Sequence, residues 1–173
     1  SANQETDDYS TTNIQVEGVD EADIVKNDGK YIYVVSGNKV IILNAYPAEN
    51  MEILSEINIT NPLDLFINGD KLIVFSSKYS GVEGSVAGIY DLSDRSSPEL
   101  IKEVSVNGYY VTSRMIGDYV YLVSNKYTGY DSPVLPMIAV DGVKESVAVR
   151  DIAYFPHPDT SYTFTNILAI NIE

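Results

Sequence analysis

Cysteine and tryptophan are absent from the chain, histidine occurs once, and basic residues are scarce. Without cysteine there can be no disulfide, thiolate nucleophile, iron–sulfur cluster or cysteine-type zinc site. The lone histidine, His157, excludes multi-histidine metal centres and leaves a serine–histidine–acid triad a single base to draw on. The 11 Lys and Arg stand against 25 Asp and Glu, a formal net charge of −14. Phosphate binding needs clustered cations that release counterions, so nucleic acid is excluded as a partner. An anionic membrane surface is disfavoured for the same reason. No apolar run approaches the roughly 20 residues that span a bilayer, and the glycine-rich signatures of nucleotide-phosphate loops are missing. What is present is a globular composition, 45% hydrophobic and 21% charged over 173 residues. That is chain enough to bury a sizeable core.

The informative feature is an internal repeat. Asn27-Asp28-Gly29-Lys30-Tyr31-Ile32-Tyr33-Val34-Val35-Ser36 is echoed by Asn68-Gly69-Asp70-Lys71-Leu72-Ile73-Val74-Phe75-Ser76. A third copy is Ile116-Gly117-Asp118-Tyr119-Val120-Tyr121-Leu122-Val123-Ser124, so that Gly29, Gly69 and Gly117 stand 40 and then 48 residues apart. Ser77-Lys78-Tyr79 and Asn125-Lys126-Tyr127 extend the match in the second and third copies. Each phrase is a Gly/Asp turn entering a β-branched and aromatic run, the pattern of a tight hairpin. Asp28, Asp70 and Asp118 read as turn formers there.

Further strands surround each phrase. The first unit predicts strands over 21–26, 31–35, 40–43 and 53–59, and the second over 63–67, 71–76, 86–92 and 100–106. The third predicts 111–116, 119–124 and 165–172. No helical period persists with caps. The chain is therefore all-β: three four-stranded antiparallel units, the third incomplete, at about 20–59, 62–106 and 109–173. Such units at this period are the signature of β-propeller blades, whose sheets bury their faces only against neighbouring blades. Three blades do not close a ring, so the expectation is a partial propeller, continued in a longer chain or completed by an oligomer. Self-association would use the open blade faces or the N-terminal strand. Residues 1–11 are expected as a disordered tail, and 12–16 as a strand able to complete another blade. An insertion over 128–163, rich in Pro and Tyr, is the longest loop, and 147–154 are expected to add a strand inside it.

The run 13–26 (Asn13-Ile14-Gln15-Val16-Glu17-Gly18-Val19-Asp20-Glu21-Ala22-Asp23-Ile24-Val25-Lys26), continued by Asp28-Gly29-Lys30-Tyr31-Ile32-Tyr33, carries a family resemblance. It resembles the opening signature of secreted prokaryotic proteins with a C-terminal β-propeller domain distantly related to WD repeats. Asp151-Ile152-Ala153-Tyr154-Phe155-Pro156, Pro158-Asp159 and Ser161-Tyr162-Thr163-Phe164-Thr165 give a second match. The resemblance implies the N-terminal portion of a longer propeller and a secreted or cell-surface location, and it brings no activity with it. WD-type partners do not transfer, because the chain has no Trp.

Candidate sites are few. Asp20, Glu21 and Asp23 could offer oxygen ligands to Ca²⁺, or else could tie down backbone N–H groups at the entry of the first blade; no other cofactor is expected. Tyr130, Tyr154 and Tyr162, with Tyr127 beside them, could form a sugar- or peptide-binding surface near His157. Asn58-Ile59-Thr60 is an N-glycosylation pattern at Asn58. The expected function is a non-enzymatic binding or scaffold module, presenting loops to a protein or glycan. The alternatives are a fragment of a carboxylate-based polysaccharide hydrolase and a cation-binding surface-layer component.

Overall fold

The computed structural model describes residues 18–79, 82–129, 131–154 and 162–173. The expected tail, the strand at 12–16, Tyr130 and His157 lie outside the described residues. The lead-in supplies β1 (Asp20–Glu21) and β2 (Val25–Asn27), followed by β3 (Tyr31–Ser36), β4 (Lys39–Asn44) and β5 (Glu52–Asn58). Then come β6 (Pro62–Asn68), β7 (Lys71–Lys78), β8 (Gly84–Asp91) and β9 (Glu99–Asn107). The last group is β10 (Tyr109–Ile116), β11 (Tyr119–Tyr127), β12 (Met137–Val140), β13 (Val143–Ser146) and β14 (Thr163–Asn171). Among the described residues the only helical turns are two short 3-10 segments, Ala48–Asn50 and Val149–Asp151. None is long and apolar enough to cross a membrane.

The strands form three antiparallel sheets: β2-β3-β4-β5, then β6-β7-β8-β9 extended by β12 and β13, then β1-β10-β11-β14. Successive side chains on a strand point to opposite faces, and the middle sheet shows what this does. Leu65, Leu72 and Val74 pack on Tyr33, Val40 and Ile42 of the first sheet. Their neighbours Phe66, Ile73 and Phe75 face the other way and pack on Met115, Val120, Leu122 and Ile170 of the third. The middle sheet is thus buried on both faces, which explains its near-continuous apolar runs. Each such side chain contributes about 1.5–3 kcal/mol by leaving water.

The segment from Asp20 to Asn27 ties the three sheets together along one edge. Asp20 and Glu21 pair with Met115 and Arg114 of β10, Asp23 bridges Leu65 of β6, and Val25–Asn27 pair with β3. The short fourth strand of the third sheet is therefore β1, on the edge beside β10, and β14 has no further strand beyond it among the described residues.

The repeated turns meet at one end of the molecule. Arg95, from the loop between β8 and β9, donates to Asp28 Oδ2 of the first sheet at 3.3 Å and to Asp70 Oδ1 of the second at 3.0 Å. It also donates to the Tyr33 hydroxyl at 3.0 Å, and its guanidinium lies 4.8 Å over the Tyr31 ring. Asn68 Nδ2 donates to Gly117 O at 3.3 Å, joining the second and third turns.

The insertion behaves differently from the sequence expectation. Residues 147–154 add no strand; Val149–Asp151 is a 3-10 turn. The strands are β12 and β13 instead, and this hairpin lies along the outer edge of β9, on the neighbouring sheet. Its turn, Asp141-Gly142, has positive φ at both residues, the conformation that a two-residue hairpin demands. Asp141 Oδ1 accepts from the Glu103 N–H at 2.8 Å, docking the turn onto β9.

Candidate binding surface

The end of the sheets opposite the repeated turns carries the insertion and two clefts. Strand β7 ends there at Lys78, followed by Tyr79, and β11 ends at the matching Lys126-Tyr127. A cleft of about 300 Å³ lies between them, with Glu83, Asn107 and Tyr109 on its walls. A second cleft, about 530 Å³, meets the first at Ser77–Tyr79 and runs to Asn58–Thr60 of the first sheet. Its floor includes Tyr90 and Leu100, with Gly88 leaving room for the Tyr90 ring; a Cβ at position 88 would lie 3.1 Å from it. Burial raises the Tyr90 hydroxyl above its ordinary pKa, assisted by the Glu103 charge.

Three tyrosines on this surface stand largely in water: Tyr79 is 73% exposed, Tyr109 69% and Tyr127 68%. The Tyr109 and Tyr127 rings are neighbours, their centroids 6.4 Å apart and their planes tilted at 51°. Of the cations beside them, Lys78 is paired, its Nζ 2.8 Å from Glu103 Oε1.

The backbone beside these rings is closely packed and hydrogen-bonded. Gly84 and Gly108 bridge in parallel, with φ of +148° and +118°. A Cβ on Gly108 would meet the Asn125 carbonyl at 2.7 Å. Ser85 Oγ donates to Gly108 O at 2.9 Å, and Asn166 Nδ2 donates to Asn107 O at 2.9 Å. Only glycine meets both demands, positive φ and close backbone approach. Gly108→Ala is accordingly expected to cost about 2 kcal/mol from strain and overpacking, read as a lowered midpoint in urea unfolding.

The expected site residues fall in several places. Tyr162 joins this surface: its carbonyl accepts from the Thr128 N–H at 2.9 Å, directly after Tyr127. Tyr154 is exposed and follows the 3-10 turn of the insertion. Asn58 is exposed at the rim of the larger cleft. The acidic trio lies along the edge where the lead-in crosses the sheets. Asp20 Oδ1 accepts from Lys26 Nζ at 2.8 Å and from the Glu21 N–H at 2.9 Å. Glu21 pairs with Arg114 at 2.9 Å, and Asp23 Oδ1 accepts from the Ile24 N–H at 2.7 Å. Among the described residues no group of three or more His, Asp or Glu is arranged to hold a metal ion. Sequence reasoning did not assign Tyr79 and Tyr109 to a surface, although the repeated Lys-Tyr phrase marked Tyr79 and Tyr127 as equivalent.

Against known families, the model for the beta propeller domain matches residues 9–173. The chain belongs to that family. Its three sheets are therefore propeller blades. An uncharacterized protein of Methanocaldococcus jannaschii is 34% identical over 128 residues, covering 73% of this chain and 19% of that protein. An uncharacterized protein of Archaeoglobus fulgidus is 27% identical over 177 residues, covering 92% of this chain and 27% of that protein. The chain thus spans about a fifth to a quarter of the length of these relatives. No solved structure matches it.

Proposed function

We propose that this chain is a non-enzymatic binding and scaffold module within an extracytoplasmic propeller protein. The observation that carries the reading is the loop end of the second and third blades. There, exposed tyrosines sit on rigid strand ends around a cleft, the arrangement by which a stable scaffold presents recognition groups. The lead-in carboxylates support binding over hydrolysis, since Asp20 and Glu21 already engage Lys26 and Arg114. A hydrolytic pair would need one carboxyl free to hold a proton and another free to attack or activate water. The extracytoplasmic location rests on the family resemblance of the lead-in.

The outer faces of the first and third blades point to further blades in the parent protein. Ile53 is 58% exposed on one and Ile167 70% on the other, and a propeller sheet buries such faces against its neighbours. The test is incubation of the protein with soluble glycans and peptides, followed by mass analysis of each ligand. Saturable binding with the ligand recovered intact is the expected result. Release of cleavage products would overturn the reading in favour of a polysaccharide hydrolase.

A further inference from the structure

We infer that the groove bordered by Tyr79, Tyr109 and Tyr127 binds a neutral oligosaccharide, the pyranose rings stacking on the tyrosines. This rests on the binding-module reading and names its ligand class. The first argument is the cost of the exposure. Three large aromatic rings, each about 70% in water, are clustered on one surface, and clustered apolar exposure marks an interaction site. Tyrosine suits the task, because it supplies a rigid flat surface at low entropic cost and keeps a hydroxyl for hydrogen bonding.

The second argument is charge. The groove carries Lys78 and Lys126 together with Glu83 and Glu103, so it has no dominant sign, and the whole chain carries −14. An anionic polysaccharide or phosphorylated ligand would be repelled at long range. A neutral sugar is not, and its hydroxyls can pair with either sign of side chain, avoiding buried polar groups left without partners.

Shape is the third. Two clefts flank Ser77, Lys78 and Tyr79 at the ends of neighbouring blade interfaces, so a chain of sugars lying over the end of β7 could reach both, as a single ring could not. A peptide would find less to hold. Strand addition requires a free edge, yet β7 lies between β6 and β8, and β11 between β10 and β14. A proline helix needs a slot between aromatic rings, whereas Tyr109 and Tyr127 are neighbours at 6.4 Å, leaving no slot between them for a proline ring.

The experiment titrates the protein with hexasaccharides of glucose, mannose, galactose and N-acetylglucosamine, and with a proline-rich peptide, by calorimetry. Wild type should bind at least one hexasaccharide. Tyr109→Ala and Tyr127→Ala should each weaken that binding about tenfold, as loss of one aromatic contact predicts, and Tyr109→Phe should retain it. Tyr46→Ala is the control, 70% exposed in the loop between β4 and β5 at the opposite end, and should change nothing. Thermal melts of every variant separate lost binding from lost folding. Sugar binding unaffected by the groove variants, or binding of the peptide alone, would overturn the inference while leaving a binding module standing. Cleavage of the sugar would overturn the module reading itself, and binding of none of these ligands would overturn the ligand class.

Discussion

Replacing Phe75 by alanine will cost about 4 kcal/mol of stability, within the range for deleting a buried aromatic ring. Phe75 is fully buried, on the face of the second blade that packs against the third. Its ring meets Phe66 edge-on, with centroids 5.8 Å apart at 82°, and meets Tyr110 at 5.4 Å. The truncation removes two aromatic contacts as well as the apolar transfer energy, and β7, paired on both sides, cannot collapse into the void. The measurement is urea unfolding, where the midpoint should fall steeply. Hydrogen exchange should rise first in β10 and β11, the strands that Phe75 holds against the second blade. A loss below about 1 kcal/mol would mean that this interface does not behave as a packed core.

Arg95→Ala is expected to destabilise the chain by about 2 kcal/mol, and the mechanism is different. The guanidinium is largely buried and links two blades through Asp28, Asp70 and the Tyr33 hydroxyl. Removing it takes away the counter-charge of the part-buried Asp28 carboxylate, although the Tyr31 and Lys30 N–H groups and the Tyr33 hydroxyl still bond it, and it unlinks the two blades. Arg95→Lys should recover little, because a single ammonium cannot reach the same acceptors in a planar fork.

The Arg95 site also sets an acid response. Burial alone would raise the pKa of Asp28. Hydrogen bonds from the Tyr31 N–H, the Tyr33 hydroxyl and the Lys30 N–H, with the Arg95 charge, outweigh it and hold the carboxyl below its ordinary value. A depressed folded pKa means the unfolded chain binds more protons. The stabilisation is therefore fully present above the ordinary aspartate range, about pH 4, and is lost as pH falls through the folded value. The stability gap between wild type and Arg95→Ala should consequently be constant near neutrality and narrow on acidification below about pH 4. A gap that widened in acid would assign the effect to something other than this pair.

The repeat made the blades legible. Three copies of one turn-and-strand phrase aligned themselves, and period-2 alternation then located most strands to within a few residues of their observed ends. The insertion hairpin was harder to read because β12 and β13 are four residues each. β13 is exposed throughout, so no buried face imposes alternation on it. The Asp141-Gly142 dipeptide was the available signal, a local one that says a hairpin forms but not which sheet receives it.

Local chemistry therefore determined the strands, the tight turns and the blade period, since each depends on neighbours a few residues away. Tertiary structure alone decided which distant groups meet. Arg95 reaches Asp28 across 67 positions, and the lead-in pairs in turn with β10, β6 and β3, knitting the three blades along one edge. The hairpin of the insertion extends a blade that is not its own. The two Lys-Tyr pairs, alike in sequence, become one groove only because Gly84 and Gly108 let adjacent blades approach backbone to backbone. Such contacts depend on how the sheets stack, and stacking is a property of faces brought together by burial, which no local pattern encodes.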